Sequence, residues 1–205
     1  MRRHTPFVKI CGITNLEDGI AALEGGARIL GVVLSNLSPR KGSQEVIRGL
    51  KNVGAEVAGV YTDMDSIRES EMNEDYVQIH FPHGTDEITF VRDHLKKKVI
   101  SVVKPQHSND PRAEALELLG LGADYSLIDF GGDLSRVPAS HKMDLSGMKT
   151  GVAGRISMDN IGYALSLNPY FLDISSRIEE YPGKKDHGKM IELMELFRNE
   201  SELVS

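Results

Sequence analysis

The stretch FVKICGITNLEDGIAALEGGARILGVVL, residues 7–34, contains a short apolar run, a segment with helical spacing and a second apolar run. The two apolar runs, residues 7–10 and 29–34, are short and rich in β-branched residues, so they predict buried strands. Between them, residues 16–24 repeat apolar side chains at helical spacing, and Asn15 can cap the first turn. This order predicts two parallel strands joined by a helix.

The same strand and helix patterns recur along the rest of the chain. Six further apolar runs lie at residues 56–61, 76–79, 99–103, 125–128, 150–153 and 171–174. Helical patterns lie at residues 43–53, 65–72, 86–95, 111–121, 158–167 and 185–198. Strands that are apolar on both faces and separated by helices form parallel sheets.

Eight such strands predict an α/β protein whose sheet closes into a single (β/α)8 TIM barrel, formed by residues 1–205 as one domain. An open doubly wound sheet is the alternative. It would have a glycine-rich phosphate turn after the first strand, and CGIT is not such a turn. Residues 130–150 contain Pro138 and show weak helical periodicity, so we predict an irregular segment after the sixth strand.

Composition and charge exclude several classes of protein. The 205 residues include 24 Lys and Arg against 30 Asp and Glu, a net charge of −6, whereas nucleic-acid-binding surfaces are basic. No apolar stretch approaches the ~18 residues of a membrane span, and MRRHTP is not followed by the apolar core of a signal peptide. A single cysteine fits a reducing compartment. We therefore expect a cytoplasmic protein that binds neither nucleic acid nor membranes.

A barrel fold also predicts where the functional site lies, because catalytic groups of these barrels sit at the carboxyl ends of the strands. Cys11 follows the first predicted strand and Asp129 follows the sixth. Cys11 could be a small buried hydrophobe or a functional thiolate, since free cysteine is among the most buried residue types. Asp129 could cap a loop or act as an acid or base. Residues 154–156 and 175–176 follow strands seven and eight, where such barrels often bind phosphate.

Five motifs that span nearly the whole chain carry a family resemblance. They are VKICGIT at 8–14, LSPR at 37–40, VQIH at 77–80, LID at 127–129 and DISSRIEEYPGKKDHGKM at 173–190. In this combination and order they resemble the phosphoribosylanthranilate isomerases of tryptophan biosynthesis. The resemblance implies a barrel enzyme that uses no cofactor. His83, His94 and His107 do not stand at metal-ligand spacing from a cysteine or carboxylate cluster, so we expect no metal.

The resemblance implies an Amadori rearrangement of N-(5′-phosphoribosyl)anthranilate to 1-(2-carboxyphenylamino)-1-deoxyribulose 5-phosphate. A general acid protonates the furanose oxygen and opens the ring to a Schiff base, and a general base then removes the C2 proton. The family's acid matches Asp129 and its base matches Cys11. A thiolate is more basic than an ordinary carboxylate, which suits removal of a carbon-bound proton.

Three further residues are candidates for contact with the substrate. Arg40 matches the arginine that holds the anthranilate side of the substrate in the family, although it could also be a solvated loop arginine. His80 ends the fourth strand and could face the substrate or serve a structural role. Lys9, inside the first strand, could contact the substrate or belong to a buried ion pair, because a lone buried charge is costly.

The loops that bind phosphate in the family depart from its pattern here. Gly154 is kept, but Arg155 stands where the family has a second glycine. After Ser175 and Ser176, Arg177 replaces another glycine. The resemblance assigns these five residues to the phosphate site. The two arginines could clamp the phosphate or fill its pocket.

Since both proposed catalytic residues are present, we expect an active isomerase. The alternatives are a non-catalytic, isomerase-like barrel that binds a phosphosugar or a partner, and another phosphosugar isomerase or epimerase. Cys11 discriminates the isomerase from the non-catalytic barrel, because a catalytic base should be accessible and titrate near neutrality, whereas an inert thiol can be buried. The presence of Arg40 argues against the other isomerase or epimerase. Candidate protein partners are a second copy of the chain, forming a homodimer, and other enzymes of the tryptophan pathway.

Overall fold

The barrel is seen in a computed structural model that describes residues 4–134 and 143–204, with side chains described as far as Ser201. Eight parallel strands pair in chain order, and β8 pairs with β1 to close the ring. The strands are β1 (Phe7–Cys11), β2 (Ile29–Val33), β3 (Glu56–Tyr61), β4 (Tyr76–Ile79), β5 (Lys98–Val103), β6 (Tyr125–Asp129), β7 (Thr150–Ala153) and β8 (Phe171–Ile174). The predicted (β/α)8 barrel is confirmed, and each strand lies within one residue of its predicted bounds.

Helices connect most of the strands. They are α1 (Leu16–Glu24), α2 (Gln44–Asn52), α3 (Met64–Glu69), α4 (Thr85–Thr89), α5 (Pro111–Gly120), α6 (Ile161–Ser166) and α7 (His187–Val204). Asn15 caps α1 as predicted, its side chain accepting a hydrogen bond from the Asp18 amide at 2.9 Å. Helix α4 continues into a π-helical turn over Phe90–His94, so the single helix predicted at 86–95 is divided. None of the helices in residues 4–134 and 143–204 combines the length and apolarity of a membrane crossing.

Two parts of the chain after β6 differ from a regular barrel. The last helix was predicted from Lys185 but begins at His187, because Lys184–Lys185 (β10) pairs with Glu179–Tyr181 (β9) as an antiparallel hairpin. Strands this short leave no periodic signal in the sequence. The irregular segment predicted after β6 falls partly on residues 135–142, which lie outside the described residues and include Pro138. Residues 143–149 form neither helix nor strand.

The barrel contains two apolar layers because successive residues of a strand face opposite sides of the sheet. Val8 and Ile10 pack outward, beneath the helices, in the larger core. The lumen holds a second cluster, whose aromatic members lie at the amino ends of their strands: Phe7, Tyr76, Tyr125 and Phe171. Phe7 and Phe171 stack with ring centroids 5.2 Å apart. This aromatic plug fills the amino half of the lumen, whereas Cys11 and Asp129 lie at the carboxyl ends of their strands.

Candidate active site

Cys11 and Asp129 are the last residues of β1 and β6. Around the ring, β6 is reached from β1 through β8 and β7, three steps in a barrel of eight strands. The two side chains therefore belong to opposite parts of the barrel mouth. A sugar bound between them would have one proton-transfer group on each side.

Lys9 lies below Cys11 in the lumen and forms a buried ion pair. Its Nζ is 2.9 Å from Oδ1 of Asp173, and its side chain is 0% exposed. The pair is set by register, since Lys9 of β1 lies beside Asp173 of β8. Burial alone would lower the pKa of Lys9, but the nearby Asp173 and Cys11 have a larger effect and raise it. This is the ion pair that a buried lysine requires, and contact of Lys9 with the substrate stays a prediction.

The Cys11 thiol is enclosed. Cys11 is only 9% exposed, and burial raises the pKa of its thiol although Lys9 opposes that effect. Gly31, its neighbour on β2, has no room for a side chain, since an added Cβ would lie 2.8 Å from Sγ. The thiol is thus not the accessible, near-neutral group expected of a base. The thiolate fraction of Cys11 is small at neutral pH, but each thiolate that forms is a stronger base than one with an ordinary pKa.

His80 lies against Asp129 at the barrel mouth. Its Nε2 is 3.4 Å from Oδ2 of Asp129, whose other oxygen accepts a hydrogen bond from the Gly131 amide at 2.9 Å. Burial lowers the pKa of His80, only partly opposed by Asp129, which favours a neutral ring. Gln78 Nε2 lies 3.4 Å from Nδ1. Donation from that amide would place the ring proton on Nε2, facing the carboxyl group.

Arg40 lies beside the β1 end of the site but is already paired. Its guanidinium forms a bidentate salt bridge with Glu179: Nε donates to Oε1 at 2.8 Å and Nη2 donates to Oε2 at 2.8 Å. A Cβ added at Gly12 would lie 2.9 Å from Cδ of Arg40, so the arginine stem runs along the turn after Cys11. Glu179 also accepts a hydrogen bond from Lys185 at 3.1 Å.

The loops after β7 and β8 are neighbours because Ala153 pairs with Asp173. Gly154 and Arg155 both have positive φ, at 157° and 47°, so the arginine adopts the left-handed conformation that suits glycine. Arg155 and Arg177 are exposed. Within the described part of the chain, neither guanidinium forms a hydrogen bond. Among the described residues, these two cations thus stand on adjacent loops without a hydrogen-bond partner, and the predicted Ser175 and Ser176 directly precede Arg177.

Four residues of this cluster were not singled out from the sequence: Gly31, Asp173, Glu179 and Lys185. Asp173 had an indirect signal, because a lysine inside a strand needs a partner on a neighbouring strand. Glu179 and Lys185 occur in a quoted motif, but nothing local shows that they turn toward the barrel. Their roles depend on contacts between distant parts of the chain.

Fold and site together define a (β/α)8-barrel protein with an acid–base cluster at the carboxyl ends of its strands. The family model described as N-(5'phosphoribosyl)anthranilate (PRA) isomerase matches residues 8–196. The chain belongs to the N-(5′-phosphoribosyl)anthranilate isomerase family, and the resemblance found in the motifs is confirmed.

Individual relatives agree with this assignment along nearly their whole length. The N-(5′-phosphoribosyl)anthranilate isomerase of Thermoplasma volcanium is 36% identical over 198 residues, covering 97% of this chain and 99% of the relative. A phosphoribosyl anthranilate isomerase solved with reduced 1-(o-carboxyphenylamino)-1-deoxyribulose 5-phosphate is 25% identical, with a TM-score of 0.74 over 95% of this chain and 99% of that one. Monomers generated from the dimeric enzyme of Thermotoga maritima are 25% identical, with a TM-score of 0.75 over 96% and 98%.

Proposed function

We propose that this chain isomerises N-(5′-phosphoribosyl)anthranilate to 1-(2-carboxyphenylamino)-1-deoxyribulose 5-phosphate, a reaction of tryptophan biosynthesis. Besides family membership, the observation that supports this best is the placement of Cys11 and Asp129 across the barrel mouth. The rearrangement delivers one proton to the furanose oxygen and removes another from C2, so it needs groups on two sides of the sugar.

In the proposed mechanism Asp129 is the general acid and Cys11 the general base. Asp129 protonates the ring oxygen as the C1–O bond breaks, and the nitrogen lone pair forms the C1=N bond of a Schiff base. The Cys11 thiolate takes the C2 proton, and the C2–H electrons form a C1=C2 bond while the C1=N electrons return to nitrogen. The resulting enolamine gains a proton at C1 and loses the 2-hydroxyl proton, which gives the ketone.

The side chains beside Cys11 and Asp129 support these roles. Lys9, held by Asp173, stabilises the Cys11 thiolate electrostatically when it forms. His80 lies 3.4 Å from Asp129 and orients its carboxyl group toward the substrate. The raised pKa of the Cys11 thiol makes the thiolate scarce, so this assignment predicts that the contribution of Cys11 to the rate increases with pH.

Substrate binding divides between two parts of the mouth. Arg40 binds the anthranilate carboxylate, a role that suits a guanidinium. The phosphate lies between the loops after β7 and β8, among residues Gly154, Arg155, Ser175, Ser176 and Arg177. Exposure of both arginines supports a clamp, since side chains that filled the pocket would be buried in it.

The experiment follows decay of anthranilate fluorescence after purified protein is mixed with freshly generated N-(5′-phosphoribosyl)anthranilate. We expect turnover by the wild type, and a kcat lower by roughly 100- to 10,000-fold in Asp129→Asn, because the asparagine amide cannot act as a general acid. Asp86→Asn, an exposed position in α4, is the matched control and should match the wild type. Near-normal turnover in Asp129→Asn would mean that another group is the general acid.

One observation favours the non-catalytic alternative, namely that Cys11 is buried with a raised pKa. Under that alternative the wild type would show no decay above background in the same assay. The homodimer and association with other tryptophan-pathway enzymes stay predictions. Sedimentation velocity of the purified chain tests the first, and a single monomeric species would contradict it.

A further inference from the structure

The contact between Arg40 and Glu179 uses only one edge of the guanidinium. Nε is 2.8 and 3.0 Å from the two carboxylate oxygens, and Nη2 is 2.8 Å from Oε2. A guanidinium carries five N–H donors in a fixed plane. Nη1 and the second proton of Nη2 have no hydrogen-bond partner among the described residues. They form a second edge that can bind another carboxylate with two parallel hydrogen bonds.

Glu179 is held in place from its other side. Lys185 Nζ lies 3.1 Å from Oε1 of Glu179, and it also donates to the backbone carbonyls of Cys11 at 2.7 Å and Ser175 at 3.3 Å. All three ammonium protons thus have acceptors. Burial alone would raise the pKa of Glu179, but hydrogen bonds from Arg40 and Lys185 lower it. The three side chains together carry a net charge of +1, which attracts a further anion.

The exposure of the pair differs between its two partners. The Arg40 side chain is 27% exposed, whereas that of Glu179 is 4% exposed. Glu179 therefore lies behind the arginine, away from solvent. Through Lys185 and the Cys11 carbonyl, the same cluster is tied to the end of β1 that carries the proposed base. An anion bound to Arg40 is thereby placed at a fixed position relative to Cys11.

We propose that Glu179 is a positioning residue that fixes the Arg40 guanidinium for the anthranilate carboxylate and so sets the preference for a carboxylated substrate. The inference rests on the proposed function and deepens it. Glu179 does not contact the substrate. It acts by holding one edge of Arg40 so that the other edge meets the ligand without a loss of side-chain freedom on binding.

The opposite role would make Glu179 a competitor that the substrate carboxylate displaces from Arg40. Displacement would leave a buried carboxylate with a single cation, Lys185, and breaking a buried ion pair is costly. The two roles predict opposite effects of removing the Glu179 charge. Loss of a positioning residue weakens binding of a carboxylated ligand, whereas loss of a competitor strengthens it.

The test compares two stable ligands by isothermal titration calorimetry. One is reduced 1-(o-carboxyphenylamino)-1-deoxyribulose 5-phosphate, and the other is the same compound without the carboxyl group. In Glu179→Gln we expect the carboxylated ligand to bind about tenfold more weakly, the scale of one charge-assisted hydrogen bond. The carboxyl-free ligand should bind as in the wild type. In turnover, KM should rise while kcat stays nearly unchanged.

Glu180→Gln is the matched control, because Glu180 is the exposed neighbour and should leave both ligands unaffected. Equal weakening of both ligands in Glu179→Gln, or tighter binding of the carboxylated one, would overturn the inference. If circular dichroism shows that Glu179→Gln is unfolded, Arg40→Lys serves instead, since lysine keeps the charge but loses the second edge. Retained discrimination in that variant would also overturn the inference. Wild-type protein that binds neither ligand would overturn the proposed function itself.

Discussion

The Cys11 thiol shares a narrow space in the lumen with Lys9 and Asp173, so each group limits the charge that the others can carry. Lys9 is fully buried and offsets a carboxylate on one side and a thiol on the other. Removing its ammonium would take away the cation that pairs with Asp173 and opposes the rise in the pKa of both acidic groups. The reactivity of this cysteine is therefore a property of the three residues, and Gly31 keeps the space open for Sγ.

At the proposed phosphate site, Arg177→Gly should raise KM about tenfold with little change in kcat, because there the lost guanidinium would contact the phosphate and take no part in proton transfer. Steady-state kinetics of the fluorescence decay measures both constants. Arg177→Lys keeps the charge and should recover most of the loss. A lower KM in Arg177→Gly would mean that the arginine obstructs the pocket.

Individual residues could be predicted where a sequence motif identified them. Residues whose role depends on strand pairing or on a contact between distant parts of the chain could not. Cys11 and Asp129 follow apolar runs, so their positions at strand ends could be read directly. Glu179 could not be assigned to Arg40, because the two lie 139 positions apart in sequence and meet only after the barrel closes. The same holds for Gly31, whose lack of a side chain matters only beside Cys11.

At the scale of secondary structure elements, Asp18 joins the start of α1 to the β9–β10 hairpin and α7. This buried carboxylate accepts hydrogen bonds from Lys184 Nζ at 2.7 Å, the Lys185 amide at 2.8 Å and His187 Nε2 at 2.8 Å. Burial alone would raise its pKa, but these donors lower it from 3.8 to about 2. Asp18 thus fixes the hairpin that carries Lys185 into the site.

Asp18→Asn should lower the free energy of unfolding by about 2 kcal/mol at neutral pH, the energy that corresponds to the lowered pKa. A depressed carboxyl pKa stabilises the fold above the unfolded-state value and loses that effect as pH falls through the folded-state value. The difference between variant and wild type should therefore shrink below about pH 4. Urea unfolding across the pH range measures it.

Glu17→Gln is the control for this change, since Glu17 is 76% exposed and contacts Lys184 only at 3.4 Å. We expect it to leave stability within a few tenths of a kcal/mol, as surface ion pairs contribute little. A difference between Asp18→Asn and wild type that stayed constant with pH would show that the charge of Asp18 is not responsible.

The elements themselves were largely predictable, because strands buried on both faces give near-continuous apolar runs that contrast with amphipathic helices. The β9–β10 hairpin was not, since strands of three and two residues have no measurable period. Its geometry depends on Asp18, which belongs to α1. Lys185 was consequently assigned to the last helix although its side chain lies in the site.

In the molecule as a whole, the side chains that stabilise the barrel and those proposed to act in the reaction lie in different parts of the lumen. The aromatic plug occupies the amino half of the lumen, and the ionisable groups occupy the carboxyl half. Closure brings β1 beside β8, which pairs Lys9 with Asp173, and places β6 on the other side of the mouth. The proposed acid and base thus owe their separation to strand order, which follows directly from eight strands pairing in sequence.

The buried Cys11 thiol is proposed to be the base of the isomerase, and kcat/KM of the wild type and of Cys11→Ala from about pH 6 to 9 is the measurement to make. Burial raises the pKa of the Cys11 thiol, so the thiolate fraction increases with pH over this range. Asp129 is present in both proteins, so the ratio of wild-type kcat/KM to that of Cys11→Ala should follow the thiolate fraction and increase from about pH 6 to 9, reaching at least about 100-fold at alkaline pH. A ratio within about threefold that does not change with pH would show that Cys11 is not the base.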